Sequence, residues 1–238
     1  MKKWNDTIWN VLYPRRCPVC HEILGDSRWL VCPSCVGRLK PIGEPCCRIC
    51  GKALTDREGE LCADCGRHAH VFTAGRGIFP YNRWAHRSVL KYKEGGRREY
   101  ERFYIQAAAV YGKIWAQSCR PQVLIPVPMY PKDRRKRGFF PAGELARGLS
   151  AAWNIPVDET LIRKVRRTKP QKEMDRAGRR RNVAGAFTGR AGDWGLQRIM
   201  LIDDVYTTGS TLDAAAAVAR EHGVMEIYFL TVFTGDGY

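Results

Sequence analysis

The sequence predicts an α/β protein with a mostly parallel sheet, joined to a small cysteine-rich domain at its N-terminal end. Three observations predict it. Nine of the ten cysteines fall between Cys17 and Cys65, so the chain divides near residue 70. Beyond residue 75, short apolar runs alternate with helical patterns, as parallel strands and their crossover helices do. One such run, Arg198–Val205, leads through small hydroxyl residues into an alanine-rich helix. The regions are read as 1–70 (zinc-binding) and 75–238, the second long enough for an ordinary α/β domain.

Composition sets the class. Of 238 residues, 45% are hydrophobic and 11% aromatic, enough to offset chain entropy, so a disordered chain is excluded. No apolar run approaches the ~20 residues of a membrane span. Asn5, Asp6 and Asn10 interrupt the stretch where a secretory h-region would lie, so a cytoplasmic protein is expected. The formal charge is +16, and 16 basic against 6 acidic residues between Lys132 and Arg181 supply +10 of it. That balance attracts polyanions: nucleic acid, phosphorylated small molecules or an anionic surface.

The elements follow in order. Trp4, Ile8 and Val11/Leu12 line one side of an amphipathic helix over 4–12, stopped by Pro14. It packs on its own protein or rests on a membrane or partner. Ile78–Tyr81 reads as a strand. Arg83–Lys93 and Arg97–Gln117 read as helices parted by Gly95-Gly96. Val123–Val127 is a buried-strand candidate, Ala142–Trp153 a helix and Thr160–Arg163 a short strand. Thr168–Asn182 is too basic and polar to pack and reads as a long loop. Arg198–Val205 is a second buried strand, Leu212–Glu221 a helix and Val224–Phe233 the last strand.

The cysteines form four CxxC pairs: Cys17/Cys20, Cys32/Cys35, Cys47/Cys50 and Cys62/Cys65. The gap within each half is 11 residues, an internal repeat. Each half supplies four thiolates, the set for one tetrahedral structural zinc, so two zinc ions are expected. Sequential sites (17, 20, 32, 35 and 47, 50, 62, 65) fit the repeat best; a cross-braced pairing stays open. Cys46 is surplus and could compete with Cys47. His68 and His70 follow closely and are read as solvent-exposed rather than as ligands.

The stretch Asp203-Asp-Val-Tyr-Thr-Thr-Gly-Ser-Thr211 carries the chemistry. A strand ends in two carboxylates, then a loop of small residues opens a helix. Backbone N–H groups of Thr207, Thr208, Gly209, Ser210 and Thr211, with the helix N-terminus, suit a phosphate dianion. Gly209 permits close approach, and the hydroxyls add donors. Asp203 and Asp204 would repel phosphate but can accept from a ribose diol. The loop therefore asks for a ribose 5-phosphate. It is neither a Walker loop nor a dinucleotide fingerprint.

This stretch closely resembles the phosphoribosyl pyrophosphate (PRPP) motif of type I phosphoribosyltransferases. The resemblance implies a parallel sheet of that kind and pyrophosphate contacts after the first core strand, where Lys132, Arg134, Arg135 and Arg137 lie. The order of CxxC pairs, Arg137-Gly138-Phe139, then Arg166, Thr168, Gln171, Arg179, Asn182 and Phe187, then the PRPP motif, resembles the ComF (ComFC, GntX-like) competence family over about residues 14–234. One departure is Phe140-Pro141 where the family usually carries Asn-Gln. Pro141 suits a first helical turn, so the fold survives.

The ComF resemblance implies a role in natural transformation, handling incoming single-stranded DNA, with a flexible hood over the active site for which 166–182 is the hood or its neighbour. Implied ligands are PRPP with Mg²⁺, and single-stranded DNA. Arg166, Lys169, Arg179, Arg180 and Arg181 are candidates for the DNA backbone. Trp84, Tyr92, Phe139 and Phe140 are candidates for stacking on bases, with core packing as the competing reading. A DNA-uptake helicase or inner-membrane DNA channel is the implied partner, which could hold the protein at the membrane periphery. An active transferase, moving ribose 5-phosphate from PRPP to an unknown nitrogen acceptor, is the alternative.

Overall fold

The computed structural model describes residues 14–26, 28–55, 59–168, 178 and 182–235. The expected 4–12 helix, Lys169, Arg179, Arg180 and Arg181 lie outside the described residues.

Four strands make the main sheet: β1 (Ala74–Pro80), β2 (Val123–Pro126), β5 (Arg198–Tyr206) and β6 (Glu226–Thr234). Their order is β1-β6-β5-β2 and every pairing is parallel. Between β2 and β5 the chain also forms a two-stranded antiparallel hairpin, β3 (Ile162–Lys164) with β4 (Phe187–Gly189). The mostly parallel α/β sheet read from the sequence is therefore present.

Both faces of the sheet are covered, which is why its strands are continuous apolar runs. Along β5, Met200 and Ile202 enter one core while Ile199 and Leu201 enter the other. The first core holds α3 (Arg83–Lys93), α4 (Tyr100–Tyr111), α5 (Lys113–Cys119) and α7 (Pro141–Trp153). The second holds α8 (Ser210–Glu221), the β3–β4 hairpin and the Cys47–Cys65 ribbon. Each fully buried large side chain, such as Phe79, Phe229 or Leu149, contributes about 1.5–3 kcal/mol relative to exposure.

Local signals set the ends. The Asn82 side chain accepts from the Trp84 and Ala85 amides and caps α3. Proline stands at the start of α7 and of α6 (Pro131–Arg137), where a missing N–H costs nothing. Two short helices, α1 (Pro33–Val36) and α2 (Ala63–Arg67), carry the second CxxC pair of each ribbon.

Three expectations change. The helix expected over 97–117 is two helices, with Gly112 between them. The stretch after the first core strand, Lys132–Arg137, given no element from the sequence, is helix α6, with no buried residue. Strand β1 begins at Ala74, four residues before the apolar run. Its early part contains Gly75, which mimics a turn signal. The glycine is there because the Phe229 ring of β6 fills its side-chain space: a Cβ would lie 2.1 Å from Cε1.

Candidate functional site

The Cys17, Cys20, Cys32 and Cys35 sulfurs lie within 4.8 Å of one another, and so do those of Cys47, Cys50, Cys62 and Cys65. The pairing is sequential, which closes the cross-braced alternative. The Cys20–Cys32 and Cys50–Cys62 Sγ separations are 3.6 and 3.7 Å. Four sulfurs at ~2.3 Å around a tetrahedral ion stand about 3.8 Å apart, so both sets fit zinc. Both are full cysteine sets with no water or substrate position to spare, as structural zinc requires. Cys46 is not in the second set; its Sγ donates to Glu44 Oε1 at 3.4 Å.

The two ribbons face different cores. The first packs with Val19, Leu24 and Trp84, and its His21 Nδ1 is 2.9 Å from Tyr100 Oη on α4. The second is buried among Phe72, Tyr206 and Phe229, beneath β5 and β6.

A small pocket opens where β5 ends and α8 begins. Asp203, Val205, Tyr206, Thr207, Thr208, Gly209, Ser210, Thr211 and Leu212 line it. All five predicted loop residues and Asp203 thus come together. Gly209 takes φ +75°, the left-handed turn that starts α8. Thr208 Oγ1 and Ser210 Oγ are 3.0 Å apart across the loop. The α8 N-terminus adds its first-turn amides and the positive end of the helix dipole. The pocket can hold a compact anion beside a hydroxyl-bearing group.

The two aspartates separate. Asp204 is buried and ion-paired with Lys93 Nζ of α3 at 2.6 Å, and it does not line the pocket. Its amide donates to Asp203 Oδ1 at 2.9 Å. Asp203 lines the pocket from the opposite face of the strand. Burial first, then the charge of Asp204, push its carboxyl up to about 7, against the pull of Lys93. Lys164 of β3 shares the Asp203 side: burial lowers its pKa, and the Asp203 charge works against that.

Helix α6 leaves the sheet at the same edge. β2 and β5 are parallel neighbours, with Pro126 beside Ile202, so the chain after β2 emerges next to the pocket. Lys132, Arg134 and Arg135 are exposed and Arg137 half-buried; none of the four lines the pocket. Arg134 stacks over Phe140 at 5.0 Å. Asp133 of α6 forms an ion pair with Arg167 at 2.8 Å, tying α6 to the chain after β3. Arg166 is exposed and donates to the Asn182 and Ala184 carbonyls at 3.0 and 2.6 Å, bridging the ends of the 166–182 segment.

Two readings are corrected. Tyr92, Phe139 and Phe140 are buried core residues and Trp84 packs on Phe79 and Phe233, so these rings are spent on the core. His70 is not solvent-exposed: its side chain is fully buried, with Nδ1 2.9 Å from Asp213 Oδ2. Lys93 and His70 are the residues that sequence reasoning missed. No local pattern marks either, because both partners are more than 100 residues away. No helix among the described residues is long and apolar enough to cross a membrane.

A family model described as a double zinc ribbon domain matches residues 8–66. The chain is 35% identical over 109 residues to Competence protein F of Haemophilus influenzae, covering 45% of this chain and 48% of that one. It is 26% identical over 200 residues to Competence protein ComFC of Bacillus subtilis, covering 81% and 79%. It also bears a loose likeness to a purine phosphoribosyltransferase structure from Pyrococcus horikoshii, at TM-score 0.35 and 15% identity, covering 56% of this chain and 82% of that one. The chain spans about half the length of most of the curated relatives it matches. A double zinc ribbon joined to a parallel α/β sheet, with a likeness over 81% of the chain to a ComFC protein, makes this chain similar to the ComF competence proteins.

Proposed function

We propose that this protein serves DNA uptake and binds PRPP, with Mg²⁺, in the pocket at the β5–α8 junction while handling single-stranded DNA. The observation that carries the reading is the lining of that pocket: one carboxylate, Asp203, beside the hydroxyl- and amide-rich loop 207–211. A phosphomonoester needs donors and no nearby obligatory anion; a ribose diol needs an acceptor. The loop amides and the α8 N-terminus would take the 5-phosphate. Asp203 would take the ribose hydroxyls. Asp204, held by Lys93, would act behind it by keeping its position and charge. Mg²⁺ would arrive with the diphosphate and neutralise part of its charge.

The exposed cations of α6 stand at the same sheet edge and suit the diphosphate or a DNA phosphate. The names of the competence relatives support the DNA-uptake role. Single-strand binding rests on the charge excess between Lys132 and Arg181, with Arg166, Lys169 and Arg179–Arg181 as its candidates. A DNA-uptake helicase or inner-membrane channel is the partner class that fits.

The test is calorimetric titration of the zinc-replete protein with PRPP and Mg²⁺, then pyrophosphate release with nucleobases and with single-stranded DNA. Micromolar binding without release makes PRPP a regulatory or structural ligand. Release with one acceptor makes the protein a phosphoribosyltransferase and names its substrate. No binding overturns the PRPP reading.

A further inference from the structure

The ribbons differ in one respect that their common sequence pattern hides: the second is wired to the anion loop. His70 follows Cys65 by five residues and its side chain is fully buried. Its Nδ1 meets Asp213 Oδ2 at 2.9 Å, and the Val71 amide donates to Asp213 Oδ1, also at 2.9 Å. Both carboxylate oxygens of Asp213 are thus committed to the segment leaving the ribbon. Asp213 lies in the first turn of α8, and its amide bonds the Gly209 carbonyl at 2.8 Å.

The same imidazole touches the loop itself. A Cβ on Gly209 would lie 3.0 Å from His70 Cε1 and 3.0 Å from Tyr206 Oη, so the loop's tightest turn rests on these two rings. His70 stacks on Phe72 at 4.5 Å, Phe72 meets Phe229 edge-on at 4.9 Å, and Phe229 stacks on Tyr206 at 5.1 Å. The four cysteines of the second ribbon share this aromatic cluster. The first ribbon meets α3 and α4 on the other side of the sheet, through Trp84 and the His21–Tyr100 bond.

We propose that His70 is a positioning residue through which the second ribbon sets the 207–211 loop. Anion binding then depends on metal at Cys47, Cys50, Cys62 and Cys65, and not on metal at Cys17, Cys20, Cys32 and Cys35. The physical reason is that a Cys₄ ribbon has too little apolar core to hold its fold without the ion. Losing the ion frees residues 65–71, and with them the clamp on Asp213 and the floor under Gly209. The inference rests on reading 207–211 as a phosphate site, and the experiment separates the two.

The full chain is compared with His70→Ala, His70→Asn, Cys50→Ser and Cys20→Ser. The readouts are zinc content, amide exchange over residues 206–213, and calorimetric affinity for PRPP with Mg²⁺. His70→Ala is expected to keep both zinc ions, exchange faster in the loop and bind about tenfold more weakly, the scale of one lost hydrogen bond to a charged group. His70→Asn, whose amide can replace Nδ1–H, restores slow exchange. Cys50→Ser loosens the loop and Cys20→Ser does not. Wild-type loop exchange and affinity in His70→Ala, or equal loosening by Cys20→Ser and Cys50→Ser, overturns the proposal. If wild type binds no PRPP, the phosphate reading fails, while the exchange comparison still decides the coupling. If Cys50→Ser does not fold, zinc-replete His70→Ala decides it.

Discussion

Lys93, at the last turn of α3, and Asp204, near the end of β5, form a largely buried ion pair with Nζ 2.6 Å from Oδ2. The alternation of β5 turns two adjacent carboxylates to opposite faces, and the pair neutralises one of them. It satisfies Asp204 on the α3 side of the sheet, while Asp203 is the pocket's carboxylate.

Removing the cation should therefore destabilise the fold and the site together. Lys93→Met leaves Asp204 buried without its counter-ion, at a cost of about 3 kcal/mol, the low end for a broken buried pair because Lys93 keeps some exposure. Urea unfolding measures it. Lys93→Arg should recover most of the loss. A Lys93→Met midpoint equal to wild type would mean that the pair contributes nothing.

Asp203 should make binding of the proposed ligand pH-dependent. Its carboxyl titrates near 7, and the ionised form is the better acceptor and the one that attracts a Mg²⁺-bearing ligand. Affinity for PRPP with Mg²⁺ should rise as pH increases through 7. Asp203→Asn should weaken binding and remove that step, leaving the ligand's own phosphate ionisation near ~6. The stability effect has the opposite sign. Because folding raises this pKa, the proton favours the folded state, and the contribution falls away as pH rises through 7. Calorimetry at pH 6 and 8 on both proteins checks the first claim; denaturant melts at the same pH values check the second.

The β1–β6 contact has no room for a methyl group at Gly75. A Cβ there overlaps the Phe229 ring, and the ring is wedged between Phe72 and Tyr206. Gly75→Ala should cost about 3 kcal/mol or more, at the upper end for overpacking. Gly66→Ala, where nothing lies within 4 Å, is the control and should fold normally. Circular-dichroism melts of the two variants would show equal stability only if Phe229 can move aside.

Single-strand binding should be salt-dependent and should involve α6. Lys132 and Arg135 are exposed and do not line the β5–α8 pocket. Replacing both with Glu should reduce the slope of log affinity against log salt by about 0.7 for each phosphate contact removed. Fluorescence anisotropy with a labelled oligonucleotide at several salt concentrations reads the slope. An unchanged slope would move the DNA path off α6.

Much of this protein could be read without coordinates. CxxC spacing and its repeat specify two four-thiolate sets because the chemistry is local: two sulfurs on one tight turn reach one ion. The strand–loop–helix at 198–221 was legible for the same reason. Apolar continuity, small loop residues and a helical alanine run are all short-range signals. The same signals failed at β1, where Gly75 reads as a turn although it accommodates a ring from a strand about 150 residues later.

What the sequence determined by itself is the inventory: two four-cysteine sets, a loop of small hydroxyl residues ahead of a helix, a carboxylate pair and a basic excess. The tertiary structure decided how these parts are shared out. It assigned Asp203 to the pocket and Asp204 to Lys93, turned three candidate stacking rings into core, and joined the segment leaving the second ribbon, through His70, to Asp213 of α8. Such choices depend on partners 100 or more residues away, and only the packing of the sheet's two faces brings those partners within a few ångströms.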